Sequence, residues 1–99
     1  MKVPRKFNVL GKEYKIKKIK NLTDDDGSLL YGRCHRLEPL IEYDSGQTKE
    51  ELQNTLIHEL IHAVCHESGL SLMMGNRIEE LVCINLSNAL MKNGYRLKF

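Results

Sequence analysis

No apolar run in this chain approaches the roughly 18 residues that span a bilayer, and Met1-Lys2-Val3-Pro4-Arg5 leads into a polar segment, not an apolar signal core. A membrane partner and a secretory leader are therefore not expected, and the chain reads as cytoplasmic. Its three cysteines, Cys34, Cys65 and Cys83, are odd in number and include no Cys-x-x-Cys pair. That argues against a disulfide framework and a thiolate zinc knuckle, and leaves them as small apolar fillers with reduced thiols. There is no internal repeat and no low-complexity tract. A large charge of one sign is lacking as well, since 15 Lys+Arg against 13 Asp+Glu leave +2, well short of a nucleic-acid footprint. The excess gathers in "KEYKIKKIK", where Lys12, Lys15, Lys17, Lys18 and Lys20 have no aromatic platform or arginine cluster beside them. They read as a solvated strand face, and a nucleic-acid partner is not expected.

What remains fits one domain of 99 residues with one modest core and room for a single site. Alternation over 6–10 (Phe7, Val9) and 13–19 (Tyr14, Ile16) around Gly11 predicts a β-hairpin. The segment 21–28, "NLTDDDGS", is a turn-rich loop whose three Asp lack the spaced ligands and closing Glu of a calcium loop. Two more strands are expected over 29–31 and 40–43. The second follows Pro39, which cannot donate to a ladder, so it belongs at a sheet edge or begins after the proline, and its alternating Ile41 and Tyr43 favour an edge.

From Thr48 the period becomes helical. Thr48-Lys49-Glu50-Glu51 fits a capping box, and a helix should run to Ser68 and stop at Gly69, roughly 30 Å long at ~1.5 Å per residue. Asn76-Arg77-Ile78-Glu79 fits a second box and Lys92-Asn93-Gly94 a second stop. Tyr95, Leu97 and Phe99 suggest a short terminal strand. The sum is α+β: a β-rich segment over 1–47, a central helix over 48–68 and a second helix over 76–93, with a small antiparallel or mixed sheet packed on the first.

The central helix carries "TLIHELIHAVCHESGL", residues 55–70, an apolar run holding His58, Glu59, His62, His66 and Glu67. Burying so many ionisable groups costs several kcal/mol unless something pairs with them. His58-Glu59-Leu60-Ile61-His62 is the pattern His-Glu-x-x-His. Residues four apart share a helix face, so both imidazoles can reach one zinc ion, while Glu59, rotated by about 100°, sits beside that face. Zinc there would lower the pKa of a water and polarise a carbonyl, and Glu59 would take the water's proton as general base. Three fixed positions of uncommon residues arise by chance in on the order of one such chain in a few hundred. The competing reading is a structural polar cluster.

A catalytic zinc usually has three protein ligands. His66 continues the four-residue spacing, but His58 to His66 rises ~12 Å along a helix, so three such side chains cannot converge on one ion. His66 and Glu67 are instead expected at the helix end, within reach of water, where His66 suits the dipole. The second helix offers Glu79 and Glu80. Glu79 would be occupied in the capping box of Asn76, so Glu80 is favoured; an exposed pair that binds nothing remains the alternative.

"TLIHELIHAVCHESGL" followed by "EELVCINLSNAL", with "LYGRC" and "LIEYD" before them, resembles the small zincin-like metallopeptidases of bacteria and phages, the ImmA/IrrE and SprT-like kind. The resemblance is closest to short phage proteins with a basic N-terminal hairpin. It implies a minimal zincin-like fold and a gluzincin-type site holding one Zn2+ per chain, with His58 and His62 as ligands, Glu59 as general base and an acidic third ligand at Glu80. No residue matches the later third His of the SprT-like pattern, and none of Tyr31, Tyr43 and Tyr95 is assigned as a transition-state donor.

The expected activity is peptide hydrolysis, with a peptide or protein substrate added as a strand along residues 40–43. The alternative is a zinc-stabilised binding module of the same fold that acts on a protein partner without turnover. Two imidazoles and one carboxylate also suit manganese, nickel or cobalt.

Overall fold

Where small and large apolar residues alternate with lysines, the chain pleats. Val9, Tyr14 and Ile16 are buried and the intervening Asn8, Lys15 and Lys17 lie in solvent, as a two-residue period on a one-sided sheet requires. The computed structural model describes residues 2–99, and this hairpin is β1 (Lys6–Val9) and β2 (Lys12–Ile19), paired antiparallel. The chain continues through β3 (Gly32–Cys34), β4 (Leu40–Asp44), α1 (Lys49–Ser68) and α2 (Leu70–Lys92). The architecture is α+β, a four-stranded mixed sheet with two helices. Among the described residues no helix is long and apolar enough to cross a membrane.

Two strand expectations need correcting. The third strand is not 29–31 but Gly32–Cys34; Leu29 makes only an isolated bridge to Thr23. The segment 40–43 is not an edge. The sheet order is β1-β2-β4-β3, so β4 lies inside, parallel to β2 and antiparallel to β3. Pro39 is harmless there because it precedes the strand and uses only its carbonyl, which accepts from the Lys15 amide at 2.9 Å. The open edge nearest the helices belongs to β3.

Helix α1 starts as expected. The Thr48 hydroxyl accepts from the Glu51 amide and the Glu51 carboxylate accepts from the Thr48 amide, and Gly69 closes the helix in the left-handed conformation. Its inner face packs Leu52, Leu56 and Ala63 against Val9, Tyr14, Ile16, Ile41 and Tyr43 of the sheet. The Tyr14 hydroxyl donates to Glu67 across 2.6 Å and ties β2 to the far end of α1.

The second helix begins earlier than residue 76 and is broken. Helical backbone hydrogen bonding starts at Leu70, yet Gly75 has φ 73° and ψ 166°, a conformation other residues rarely adopt. The Asn76 box is not formed, because the Glu79 side chain turns inward to His62 and Ser71. No strand forms over 95–99. The backbone of Leu97 there exchanges two hydrogen bonds with the buried Gln53 amide, at 2.9 and 2.7 Å.

Candidate metal centre

Helix α1 presents His58 and His62 one turn apart on the side facing α2, and their rings meet edge-on with centroids 4.9 Å apart. From α2, the Glu80 carboxylate spans the pair. Its Oε1 lies 2.9 Å from His58 Nε2 and its Oε2 lies 3.1 Å from His62 Nε2. Glu59 offers an oxygen to the same neighbourhood, since ligand atoms of His58, Glu59 and His62 fall within 4.8 Å of one another. The four residues singled out from sequence thus lie together.

The electrostatics of this group follow from burial. Glu59 is 8% exposed, and desolvation lifts its carboxyl to about 7, against the opposing pull of His62 and of the Cys34 backbone amide. Burial pushes His58 below its ordinary value, with Glu80 acting in the other direction. The nearby Cys34 thiol is driven up to about 12 by burial and then by the charge of Glu59, so it is held as a neutral thiol. Cys65 and Cys83 are also free, and burial raises both.

Strand β3 closes the other side. Gly32 runs so near α1 that a Cβ on it would stand 2.6 Å from Thr55 Cγ2 and 3.2 Å from Glu59 Oε2. This close approach brings the open edge of the sheet to the carboxylate. A cleft of about 460 Å³ results, lined by Tyr31 and Gly32 from the sheet end, by Asn54, His58 and Glu59 of α1 and by Asn88 of α2.

His66 and Glu79 depart from expectation. His66 lies in the last turn of α1 and Glu67 beside it is exposed, as expected, but the His66 Nε2 is not wet: it is buried without a hydrogen bond, 3.4 Å from Glu79 Oε2. Glu79 is 1% exposed, with Oε2 at 2.5 Å from His62 Nδ1 and Oε1 accepting from the Ser71 hydroxyl. Burial works to raise the Glu79 carboxyl, but the bonds from Ser71 and His62 hold it below the ordinary carboxylate range. The third His at the four-residue spacing is a visible signal for this second cluster. Its partners are not visible in the sequence, because Ser71 reaches Glu79 only through the break at Gly75.

The arrangement defines a candidate cation site of two imidazoles and a carboxylate, with a further carboxylate beside it and an open cleft in front. No protein-family model, no curated protein and no solved structure matches this chain.

Proposed function

We propose that the protein is a zinc-dependent peptidase of zincin-like type, in which His58, His62 and Glu80 hold one zinc ion and Glu59 is the general base. The observation that carries this reading is the placement of Glu80. His62 Nδ1, 2.5 Å from the ionised Glu79, must be the donor of that pair, so in a neutral ring Nε2 would present its lone pair to a second carboxylate oxygen at 3.1 Å. Two acceptors at that separation attract each other only through a cation between them, a proton or a metal ion. Two imidazoles and a carboxylate are the donor set that zinc accepts, and three protein donors leave a position open for chemistry.

Zinc held there supplies a Lewis acid that polarises a carbonyl and acidifies a water. The chain's own residues do the rest. Glu59, raised toward neutrality by burial, takes the proton of the attacking water and returns it to the amine nitrogen as the C–N bond breaks. The free edge of β3, with Tyr31 and Gly32 at the cleft, offers backbone groups to which an extended peptide can add as a strand.

The test combines metal analysis with one variant. Purified protein is expected to bind one zinc per chain and to cleave members of a mixed octapeptide library, read by mass spectrometry. Glu59→Gln should keep the zinc and lose cleavage by at least ~100-fold, the scale of a missing general base. Zinc bound without cleavage by the wild type would favour the binding module, and no zinc at all would overturn both readings.

A further inference from the structure

The proposed chemistry uses Glu80 and Glu59 and leaves Glu79 without a task. That is unusual for a carboxylate 1% exposed, because a buried charge is retained at a cost unless it is fully hydrogen-bonded and needed. Its surroundings are specific. Oε1 accepts from the Ser71 hydroxyl, and Oε2 lies 2.5 Å from His62 Nδ1 and 3.4 Å from His66 Nε2.

A neutral imidazole has one donor and one acceptor nitrogen, and which is which follows from the bond the other makes. A carboxylate on Nδ1 forces the proton there. In the neutral ring Nε2 then carries the lone pair, and it lies 3.1 Å from Glu80 Oε2. Given the metal centre proposed above, on which this assignment rests, we infer that Glu79 is the positioning residue of that centre, fixing the ring plane and tautomer of His62 and raising its basicity as a ligand.

The fold is built to hold it. Residues 71 and 79 lie eight apart, about 12 Å along an unbroken helix at ~1.5 Å per residue, too far for a serine hydroxyl to reach a glutamate. The Gly75 break folds residues 70–74 back so that Ser71 caps Oε1. With Oε1 fixed by Ser71, Oε2 has no freedom to leave His62. His66 closes the far side, its buried Nε2 toward the same oxygen. Among the described residues His58 has a carboxylate only at Nε2, that of Glu80, so the two ligands are supported unequally.

The experiment measures zinc affinity by chelator competition in wild type, Glu79→Gln, Glu79→Met and Ser71→Ala, with far-UV circular dichroism on each to establish the fold. Glu79→Gln keeps an acceptor for Nδ1–H and loses the charge, and its zinc Kd should rise roughly 10-fold. Glu79→Met keeps the volume and loses the acceptor, for a rise nearer 100-fold, the span known for partners of metal-ligating histidines. Ser71→Ala should produce a smaller rise in the same direction. In parallel, 15N-labelled zinc-loaded wild type should show a protected His62 Nδ1–H ring proton that Glu79→Met loses. A merely structural glutamate would change the melting temperature and leave the Kd of the folded protein and that proton unmoved. Should Glu79→Met fail to fold, Glu79→Gln and Ser71→Ala decide. Wild-type zinc affinity in both would overturn the assignment while leaving the metal centre standing; absence of zinc from the wild type would overturn the two together.

Discussion

On either side of His62 lie two regions of the α1–α2 seam that differ in nearly every physical respect. Toward Nε2 is a wet end, where Glu80 is 50% exposed and bridges to His58, which lines the cleft together with Glu59. Toward Nδ1 is a dry end, where Glu79 is 1% exposed among Ser71, His66 and the thiol of Cys34, whose Sγ is 3.9 Å from His66 Nδ1. Glu79 and Glu80 are adjacent in sequence, but the ~100° step of a helix sends one into the seam and the other to its mouth. The contrast teaches that one imidazole can serve two carboxylates with opposite duties, one that would share a cation and one that holds the ring.

That contrast can be broken by exchanging which end is damaged. Glu80→Ala should lower zinc affinity roughly 1,000-fold, about 4 kcal/mol and beyond what an outer partner contributes, while shifting metal-free stability by no more than ~0.5 kcal/mol. Glu79→Ala should do the reverse in the metal-free protein. It strips His62 Nδ1 and Ser71 of their acceptor inside the seam, and urea unfolding should show a loss of about 3 kcal/mol. Equal stabilities of the two metal-free variants would erase the distinction between the ends.

The wet end depends on β3 lying close to α1. Gly32→Ala puts a methyl 2.6 Å from Thr55 Cγ2. Because that atom belongs to a β-branched side chain on a packed helix, the strand must retreat, at about 2 kcal/mol. Peptide cleavage should fall along with stability, since the edge that would hold a substrate recedes from Glu59. A variant as stable and active as the wild type would show that the approach is not needed.

Local chemistry in the sequence is enough to locate much of this. The Thr48 box, the Gly69 stop, the hairpin around Gly11 and the company of His58, Glu59 and His62 all follow from contacts within a few residues, where helix and strand periods are decisive. The failures fall where partners are far apart in the chain. Pro39 suggests an edge by its own chemistry, but strand order is decided by tertiary pairing, and β4 lies between β2 and β3. Asn76 and Glu79 satisfy the pattern of a capping box, yet His62 and Ser71 offer the carboxylate better bonds inside the seam. A place near a helix end puts His66 within reach of water only as long as α1 stands alone, and the fold brings Glu79 of α2 against it.

The smallest expected effect sharpens the comparison at Glu59, a carboxylate of the wet end that is nonetheless buried. Its carboxyl lies at about 7 in the folded protein against an ordinary 4.5, with desolvation the main cause. Below pH 4.5 the folded and unfolded chains both hold that proton and the group contributes nothing to pH dependence. As pH rises from 4.5 to about 7 the unfolded chain releases it while the folded chain keeps it, so stability falls through that window and levels off above it. His58 and His66, both held low by burial, contribute with the opposite slope, since a neutral buried imidazole is favoured as pH rises. The difference between metal-free wild type and Glu59→Gln therefore isolates the glutamate. Relative to its value at pH 5, the variant should gain about 1.5 kcal/mol over the wild type by pH 8 in urea unfolding. This is less than the full shift would give, because the carboxylate borders an open cleft and water relieves part of its cost. A gain near zero would mean that Glu59 is as well solvated as Glu80, and that the boundary between the wet and dry ends runs behind it.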